Sequence, residues 1–354
     1  MRPRLLFISG RELGYIRNRV LLKALQDRFD VTVITANVRS TTVRTIYELT
    51  RFIVQRPQYD VCFAGFYGQP IAVALSILQR KPIILDAYVS TYDTLCEDRR
   101  WFPPHSPVGV LARWLDRRSC QVAAWVLTDT QAHARYFADN FAVPKDKLAV
   151  VYVGCDEALF YPREDHLTDQ HHFNVFYYGN FLPLHGTEVI VQAAASLHHR
   201  PEVRFTMGGD GMRYPAVQRM IATLSLTNVD LVGWIPFEEL PGYIARASLC
   251  LGGHFSTVPK AARVISTKTF QFIAMRKPTV VADNSATREL FISGEHVYMV
   301  PMGDPVALAA AIETLADNPA LRQRIASGGY EVFRRQLTTS AVADHLVSAI
   351  ERLW

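Results

Sequence analysis

Short apolar runs alternate with amphipathic stretches along the whole chain. In the first half, apolar runs rich in β-branched residues predict strands at 4–9, 30–35, 60–65, 82–87, 125–129 and 149–153. In the second half, similar runs predict strands at 173–179, 203–207, 229–233, 248–252, 279–282 and 297–300. Between these strands the apolar residues recur at helical spacing, which predicts helices, for example at 43–55 and 69–79. Strands that alternate with helices predict an α/β fold with parallel sheets.

A polar stretch that contains a proline, at 161–172, interrupts this pattern near the middle of the chain. A chain of 354 residues exceeds one ordinary core, so two domains are expected. We predict two Rossmann-like, doubly wound parallel-sheet domains, 1–165 and 173–354, that face a central cleft. The last helix, 340–353, belongs to the second domain in sequence, and the alternative is that it packs back on the first domain.

The excess of basic residues lies in the first half of the chain. Residues 1–165 carry 22 Lys and Arg against 17 Asp and Glu, and this difference equals the net charge of +5 for the whole chain. A solvated surface with scattered charge is the favoured interpretation; contact of the basic first half with an anionic membrane or an acidic acceptor is the alternative.

The five cysteines are scattered without CxxC spacing, and no apolar run reaches the length of a membrane span. A cytoplasmic protein is therefore expected, with a peripheral position at the inner face of the membrane as the alternative.

Candidate binding groups follow the predicted strands, where ligands bind in doubly wound sheets. Glycine turns follow three of them: Gly10 to Gly14, Gly179 to Gly186, and the run Gly208-Gly209-Asp210-Gly211. A basic segment, 260–268, lies between a strand end and a helix and contains no acidic residue. Helix N-termini and such cations suit a phosphate, although a solvated basic face is the usual interpretation of such a segment.

Several segments of the second half occur in the order and spacing of a known family. They are YYGNFLPLHGTEVIVQAA (177–194), GGDG (208–211), VGWIPFEELPGYIARASLCL (232–251) and STKTFQFIAMRKPTVVADNSATRELF (266–291). With them the chain resembles the retaining, nucleotide-sugar-dependent glycosyltransferases of family 4, which have the GT-B fold. The resemblance covers 173–335, and in the first half it rests on topology.

The resemblance implies a hexosyltransferase that moves a sugar from a nucleoside diphosphate donor to a sugar or glycoconjugate hydroxyl, with retention and without a metal or other cofactor. It implies catalytic roles for His185, Arg263 and Lys268, and Asp86 is a further catalytic candidate because it ends a buried strand beside polar and aromatic residues. The donor-binding residues would be Gly10, Gly14, Gly179, Asn180, Gly209, Asp210, Gly211, Lys260, Gln271 and Glu289. Acceptor-binding residues would be Tyr88, Tyr92, Asp93 and Asp129, although Asp129 or Thr130 also fits as a helix N-cap.

The chain departs from the family at four positions. The family has Arg and Lys where this chain has Asn180 and His185, and it has glutamates where this chain has Arg263 and Gln271. Lys260, Arg263 and Lys268 could supply the missing cations. Two alternatives therefore stay open: a nucleotide-sugar 2-epimerase of the same fold, and a nucleotide-sugar-binding protein without turnover. No nucleic-acid partner is expected, because the aromatic residues do not interleave with a basic stripe.

Overall fold

The computed structural model describes residues 2–38, 40–163 and 171–350, which form two compact units. The first unit runs to Gly154 and takes up the last helix from Thr339, and the second unit is Cys155–Thr338. The boundary thus precedes the predicted linker, of which residues 164–170 lie outside the described residues. Cys155 N–H donates to the Leu337 carbonyl (3.1 Å), and Phe160 packs against Phe237, so 155–163 belong to the second unit.

The first unit contains a six-stranded parallel sheet in the order β2-β1-β3-β4-β5-β6. Its strands β1 to β6 are Arg4–Ser9, Asp30–Ile34, Val61–Gly65, Ile83–Asp86, Trp125–Thr128 and Leu148–Val150. Helices α1 to α5 are Ile16–Gln26, Thr41–Gln55, Gln69–Leu78, Pro107–Val122 and Gln131–Phe141, with a π-helical turn at Asp93–Asp98.

The central strands of this sheet are buried on both faces, which explains why β1 and β3 are almost continuously apolar. Leu6 and Ile8 of β1 lie in one apolar cluster, whereas Leu5 and Phe7 lie in another on the opposite face. The last helix, α13 (Thr339–Ile350), adds Val342 and Leu346 to the second cluster and packs beside α1. The C-terminal helix thereby completes the first unit.

The second unit contains a six-stranded parallel sheet in the order β12-β11-β10-β7-β8-β9. Strands β7 to β12 are Phe173–Tyr178, Val203–Gly208, Val229–Gly233, Leu249–Gly253, Thr279–Asp283 and Tyr298–Pro301. Helices α6 to α12 are Thr187–Ser196, Tyr214–Thr223, Leu240–Arg246, Thr267–Ala274, Thr287–Leu290, Pro305–Asp317 and Pro319–Gln336.

The strand orders place a topological switch point in each sheet. The chain winds outward from β1 to β2 on one side and from β3 to β6 on the other, so the first switch point lies between β1 and β3. By the same reasoning the second lies between β7 and β10. Loops diverge at such points and leave a crevice at the carboxyl ends of the strands, where ligands bind.

All twelve predicted strands are present, but α4 was not among the predicted helices. Ser106 caps it by accepting from the Gly109 N–H (3.1 Å), and Pro107 occupies its first position. Its exposed residues mix Val110, Leu111 and Trp114 with arginines, so it lacks the uniformly polar outer face that usually marks a surface helix. Within the described residues, no helix combines the length and apolarity needed to cross a membrane.

Candidate functional site

The switch point of the second sheet brings three predicted site residues together. Gly179 follows β7 with a φ of +155°, a conformation that glycine tolerates. A Cβ at this position would lie 3.2 Å from Cε of Lys268 and 3.3 Å from Cε1 of His185. Gly179 therefore permits the close approach of both side chains to the end of β7.

His185 lies at this point as a neutral imidazole. Burial lowers its pKa well below the ordinary histidine value, and the charges of Lys268 and His254 lower it further, whereas the Asn180 backbone opposes the shift. Its Nδ1 hydrogen-bonds the Tyr177 hydroxyl (3.0 Å), and its ring stacks on His254 at 5.1 Å. His185 thus adds polar surface but no positive charge.

Lys268 is the buried cation of the site. The residue is only 5% exposed. Its Nζ donates to the Ser266 hydroxyl (2.9 Å) and lies 5.2 Å from the centre of the Tyr177 ring. Burial lowers the pKa of Lys268 to about 7. Among the described residues no carboxylate pairs with this ammonium, so a bound anion would supply its missing counter-charge.

Of the other two predicted cations, Lys260 lies near His254. Lys260 is buried in the short turn Pro259–Ala262, and its charge helps to lower the pKa of His254, after burial and Lys268. Arg263 follows directly and is half-buried. The loop after β11 holds this segment, because Asn284 Nδ2 and Ser285 Oγ donate to the carbonyls of Ala261 (3.1 Å) and Ala262 (2.8 Å).

Gln271 lies one helical turn after Lys268, so both side chains share one face of α9. It is 1% exposed, and neither its amide oxygen nor its amide nitrogen has a hydrogen-bond partner. A buried amide without partners is unfavourable by about 1–3 kcal/mol. A ligand with hydroxyl groups would satisfy it. Glu289, by contrast, lies half-buried in the short helix α10 beside the loop that holds the basic segment.

The predicted glycine turn packs directly on the loop after β7. A Cβ on Gly209 would lie 1.9 Å from the Gly179 carbonyl oxygen, and Phe181 N–H donates to the Asp210 carbonyl (2.8 Å). The Asp210 carboxylate accepts from the N–H of Gly211 (2.6 Å) and stabilises its own turn. Beside these contacts lies a cavity of about 140 Å³ lined by Tyr178, Gly179, Asn180, Gly208, Gly209, Trp234, Ile235, Phe237 and Leu240.

A larger hollow of about 500 Å³ lies beside the same sheet and is lined by Asn174, Thr206, Asp230 and Arg246, among others. It runs along the strands rather than at their carboxyl ends, and its Thr206 hydroxyl is already bonded to Asn174 (3.1 Å). Its volume alone does not make it the better candidate, because the unpartnered buried groups lie at the switch point.

At the first switch point, Gly10 is required by packing. A Cβ there would lie 2.3 Å from the Tyr67 carbonyl oxygen, so only glycine fits between β1 and the loop after β3. Nothing lies within 4 Å of a Cβ at Gly14, so packing does not require glycine at that position.

Asp86 is enclosed in the first unit by an ion pair with Arg17. Both side chains are 0% exposed, and Arg17 Nη2 lies 2.8 Å from Asp86 Oδ1 while Nε contacts both carboxylate oxygens. The catalytic role predicted for Asp86 does not fit this geometry, because the carboxylate is occupied by Arg17 and closed to a substrate. Asp86 instead orients Arg17, which also donates to the Val151 carbonyl.

The predicted acceptor residues divide into buried and partly exposed groups. Asp129 is buried 2.7 Å from His133 Nδ1, and Thr130 caps α5. Tyr92 and Asp93 are also buried, at the turn that Asp116 fixes by accepting from Ser90 Oγ (2.7 Å) and Tyr92 N–H (2.8 Å). Of the four, only Tyr88 is partly exposed; it meets Phe66 edge-on and lies 5.6 Å from the Arg17 guanidinium.

Tyr177 and His254 were not predicted, although both line the site. Tyr177 lies inside an apolar strand and therefore resembles a core residue. His254 follows the Gly252-Gly253 pair at the end of β10, and that position at a strand end was a usable signal. Among the described residues, no group of three His, Cys, Asp or Glu side chains is placed to hold a metal ion.

Comparison with known proteins identifies the family. A family model described as "Glycosyl transferases group 1" matches residues 172–318, and one described as "Glycosyltransferase Family 4" matches residues 31–159. Together they match more than three quarters of the chain. The chain belongs to the family 4-like glycosyltransferases of the GT-B fold.

Individual relatives are distant. Alpha-D-kanosaminyltransferase of Streptomyces kanamyceticus is 24% identical over 80% of this chain and 72% of its own length. The lipopolysaccharide core biosynthesis glycosyltransferase LpsD of Rhizobium meliloti is 25% identical, but the match spans only 54% of this chain and 52% of LpsD. The structure of Anabaena HepE with UDP-glucose shares the fold at a TM-score of 0.76, with 17% identity over 99% of this chain and 100% of HepE.

The buried pair in the first unit yields a stability prediction. Arg17→Met should lower the free energy of unfolding by about 3–5 kcal/mol, because it leaves the Asp86 carboxylate buried without its partner. The matched control is Arg28→Met, whose exposed pair with Asp344 should contribute about 0–1 kcal/mol. Urea unfolding of both variants measures the difference. Adding Asp86→Leu to Arg17→Met should restore part of the lost stability. Equal losses in Arg17→Met and Arg28→Met would contradict this account.

The buried ammonium yields a second prediction, on pH. The folded-state pKa of Lys268 is about 7 and its unfolded value is near 10.5, so the unfolded state binds more protons between these values. Lys268→Met should therefore stabilise the ligand-free protein most below pH 7, and this advantage should shrink as the pH rises toward 10. Unfolding midpoints at several pH values test this, with exposed Lys145→Met as control. A pH-independent difference would show that Lys268 is not desolvated.

Proposed function

We propose that the protein transfers a hexosyl group from a nucleoside diphosphate sugar to a hydroxyl acceptor, with retention at the anomeric carbon and without a metal. The observation that carries this proposal is the buried Lys268 ammonium, which has no carboxylate partner among the described residues. It lies at the switch point of the sheet whose residues match the group 1 glycosyltransferase model. A diphosphate is the anion that such a transfer requires there.

The basic segment supplies the charge that the leaving group needs. Lys268 lies in the first turn of α9, where the helix N-terminus also favours an anion. Lys260 and Arg263 stand on the same segment. Asn180 and neutral His185 leave the loop after β7 without a cation, so we assign diphosphate stabilisation to Lys260, Arg263 and Lys268. One charge-stabilising contact of this kind contributes about 2.7–4 kcal/mol in other enzymes.

In the proposed step, the acceptor oxygen forms a bond to the anomeric carbon on the face from which the diphosphate leaves. The bond between the anomeric carbon and the phosphate oxygen breaks, and its electron pair passes to the nucleoside diphosphate. The acceptor proton goes to the departing phosphate oxygen. No carboxylate pair at glycosidase spacing is needed for this route. The protein orients both substrates and stabilises the developing negative charge.

Donor selection would use the neighbouring groups. We propose that the unpartnered amide of Gln271 hydrogen-bonds a hydroxyl of the donor, and that the cavity beside Gly209 and Ile235 holds the base. UDP-sugars are the first donors to test, because HepE binds UDP-glucose. A sugar or glycoconjugate hydroxyl is the proposed acceptor, with partly exposed Tyr88 as the first acceptor-side residue to test.

The test is a panel of UDP-, GDP-, ADP- and dTDP-sugars read by thermal shift and followed by turnover with the donor that stabilises the protein. Ligand binding raises stability with the logarithm of its concentration over Kd. Arg263→Ala and Lys268→Ala should each lower kcat/KM by about 10- to 1000-fold. Arg334→Ala on α12, exposed and remote in sequence from the basic segment, is the control. EDTA should leave the rate unchanged.

Two results would reject this proposal. Full activity of both Arg263→Ala and Lys268→Ala would show that the basic segment does not stabilise the leaving group, and a strict divalent-metal requirement would remove its role as the charge stabiliser. Donor binding without transfer to any acceptor would instead favour the non-catalytic binding protein.

Donor affinity should also depend on pH. The diphosphate of a nucleotide sugar keeps its charge across the neutral range, so the titrating group is Lys268, whose pKa is about 7. Binding needs the protonated amine, so Kd should rise by up to about tenfold per pH unit above 7. Lys268→Arg keeps its charge and should flatten this profile. Calorimetric titration measures the donor Kd of the parent and of Lys268→Arg at each pH. The same pH dependence in both proteins would exclude Lys268 as a ligand of the diphosphate.

A further inference from the structure

Helix α2 of the first unit presents its apolar face outward. Ile46 is 61% exposed and Val54 is 75% exposed, and Val43, Tyr47 and Ile53 are exposed on the same side. The buried residues are instead mostly polar: Arg44, Thr45 and Glu48, with Phe52 as the apolar exception. A surface helix of a globular protein usually has the opposite arrangement.

The buried polar contacts fix this orientation. The guanidinium of Arg44 donates to the carbonyls of Ala36 (3.1 Å), Val38 and Gly10 (3.3 Å), and it lies 3.3 Å from the Glu12 carboxylate. Rotating α2 to bury its aliphatic side chains would break these bonds and would expose Phe52, which belongs to the core of the first unit. The outward apolar face is therefore a built feature of the fold.

Two further helices continue the same surface. Helix α3 packs between α2 and α4, and both neighbours expose large apolar side chains. We call this the α2–α4 surface, and its exposed apolar residues are Val43, Ile46, Tyr47, Ile53, Val54, Ile77, Leu78, Val110, Leu111 and Trp114. Exposed Trp101 and Phe102 precede α4 in the chain. An apolar surface of this extent marks an interaction site.

The charge on this surface has one sign. The acidic residues of α2, α3 and α4, helices that the structure describes in full, are Glu48 and Asp116, and both are 0% exposed. Arg113, Arg117 and Arg118 are exposed on α4, and Arg51 is half-buried on α2. Exposed aliphatic and tryptophan side chains beside unopposed arginines complement an anionic lipid surface.

We propose that the α2–α4 surface docks the protein on an anionic bilayer, with the aliphatic face of α2 and Trp114 entering the interface and the α4 arginines contacting lipid phosphates. This goes beyond sugar transfer and needs neither donor nor acceptor. Tryptophan suits the membrane–water interface because its ring is apolar and its N–H polar. Docking would place the first unit beside acceptors that are carried in a membrane.

The test is co-sedimentation of the full chain with phosphatidylcholine vesicles, prepared with and without phosphatidylglycerol. Binding should require phosphatidylglycerol and weaken as salt rises. Ile46→Asp and Val54→Asp should each lower the partition coefficient at least tenfold. Val306→Asp is the matched control, because Val306 is 71% exposed on α11 of the second unit, and it should bind as the parent does. Arg117→Gln/Arg118→Gln should lower partitioning by about fivefold per arginine.

Tryptophan fluorescence gives a second readout of the same contact. Emission should shift to shorter wavelength with anionic vesicles, and Trp114→Phe should reduce that shift. Equal binding to both vesicle types, no binding, or parent-like binding of Ile46→Asp and Val54→Asp would overturn the proposal. A dimer that Ile46→Asp dissociates, without vesicle binding, would assign the surface to a second copy of the chain. Since no nucleotide is present, a negative result leaves the proposed transfer reaction unaffected.

Discussion

The candidate site of the second unit depends on a lysine ammonium that is kept out of water at the end of a parallel sheet. Burial lowers the pKa of Lys268 to about 7, and the Ser266 hydroxyl and the Tyr177 ring replace only part of its hydration. The divergence of the chain between β7 and β10 makes the crevice, and Gly179 lets the side chain reach it. The free protein therefore carries an electrostatic cost that a bound anion would relieve, so the same geometry that lowers its stability favours a ligand.

The buried charges of the two units differ in the partners that surround them. Arg17 and Asp86 are both fully buried and neutralise each other, so nothing remains for a ligand. Lys268 has hydrogen-bonding and aromatic neighbours but no opposite charge, and Gln271 on the same helix face has no partner. Sequence position alone does not separate Asp86 at the end of β4 from Lys268 in the first turn of α9, because polar groups at both kinds of position can bind a ligand. Only their three-dimensional partners distinguish them.

The central strands could be predicted because both of their faces are covered, which forces apolar runs into the sequence, whereas β9 alternates buried and more exposed positions. The cluster at Gly179, His185 and Lys268 was also accessible, since glycine turns and cations at strand ends have local signatures. The pairing of Asp86 with Arg17 could not be predicted, because Arg17 lies 69 residues away in the chain and no local pattern reports such a pair. Helix α4 was missed for a related reason: its apolar residues face outward, so the periodicity that usually marks the buried side is reversed.

That reversal connects the surface of the first unit to its interior. In α2 the polar face is buried because Arg44 reaches the carbonyl of Gly10, the glycine that fits against the Tyr67 backbone at the switch point between β1 and β3. One guanidinium thus sets the orientation of the apolar face and braces the turn that closes the end of β1. The outward side chains of α2 can vary without disturbing the core, whereas Arg44 cannot, since its removal would leave carbonyl groups unsatisfied beneath the helix. The proposed docking surface and the first switch point therefore share a single structural support.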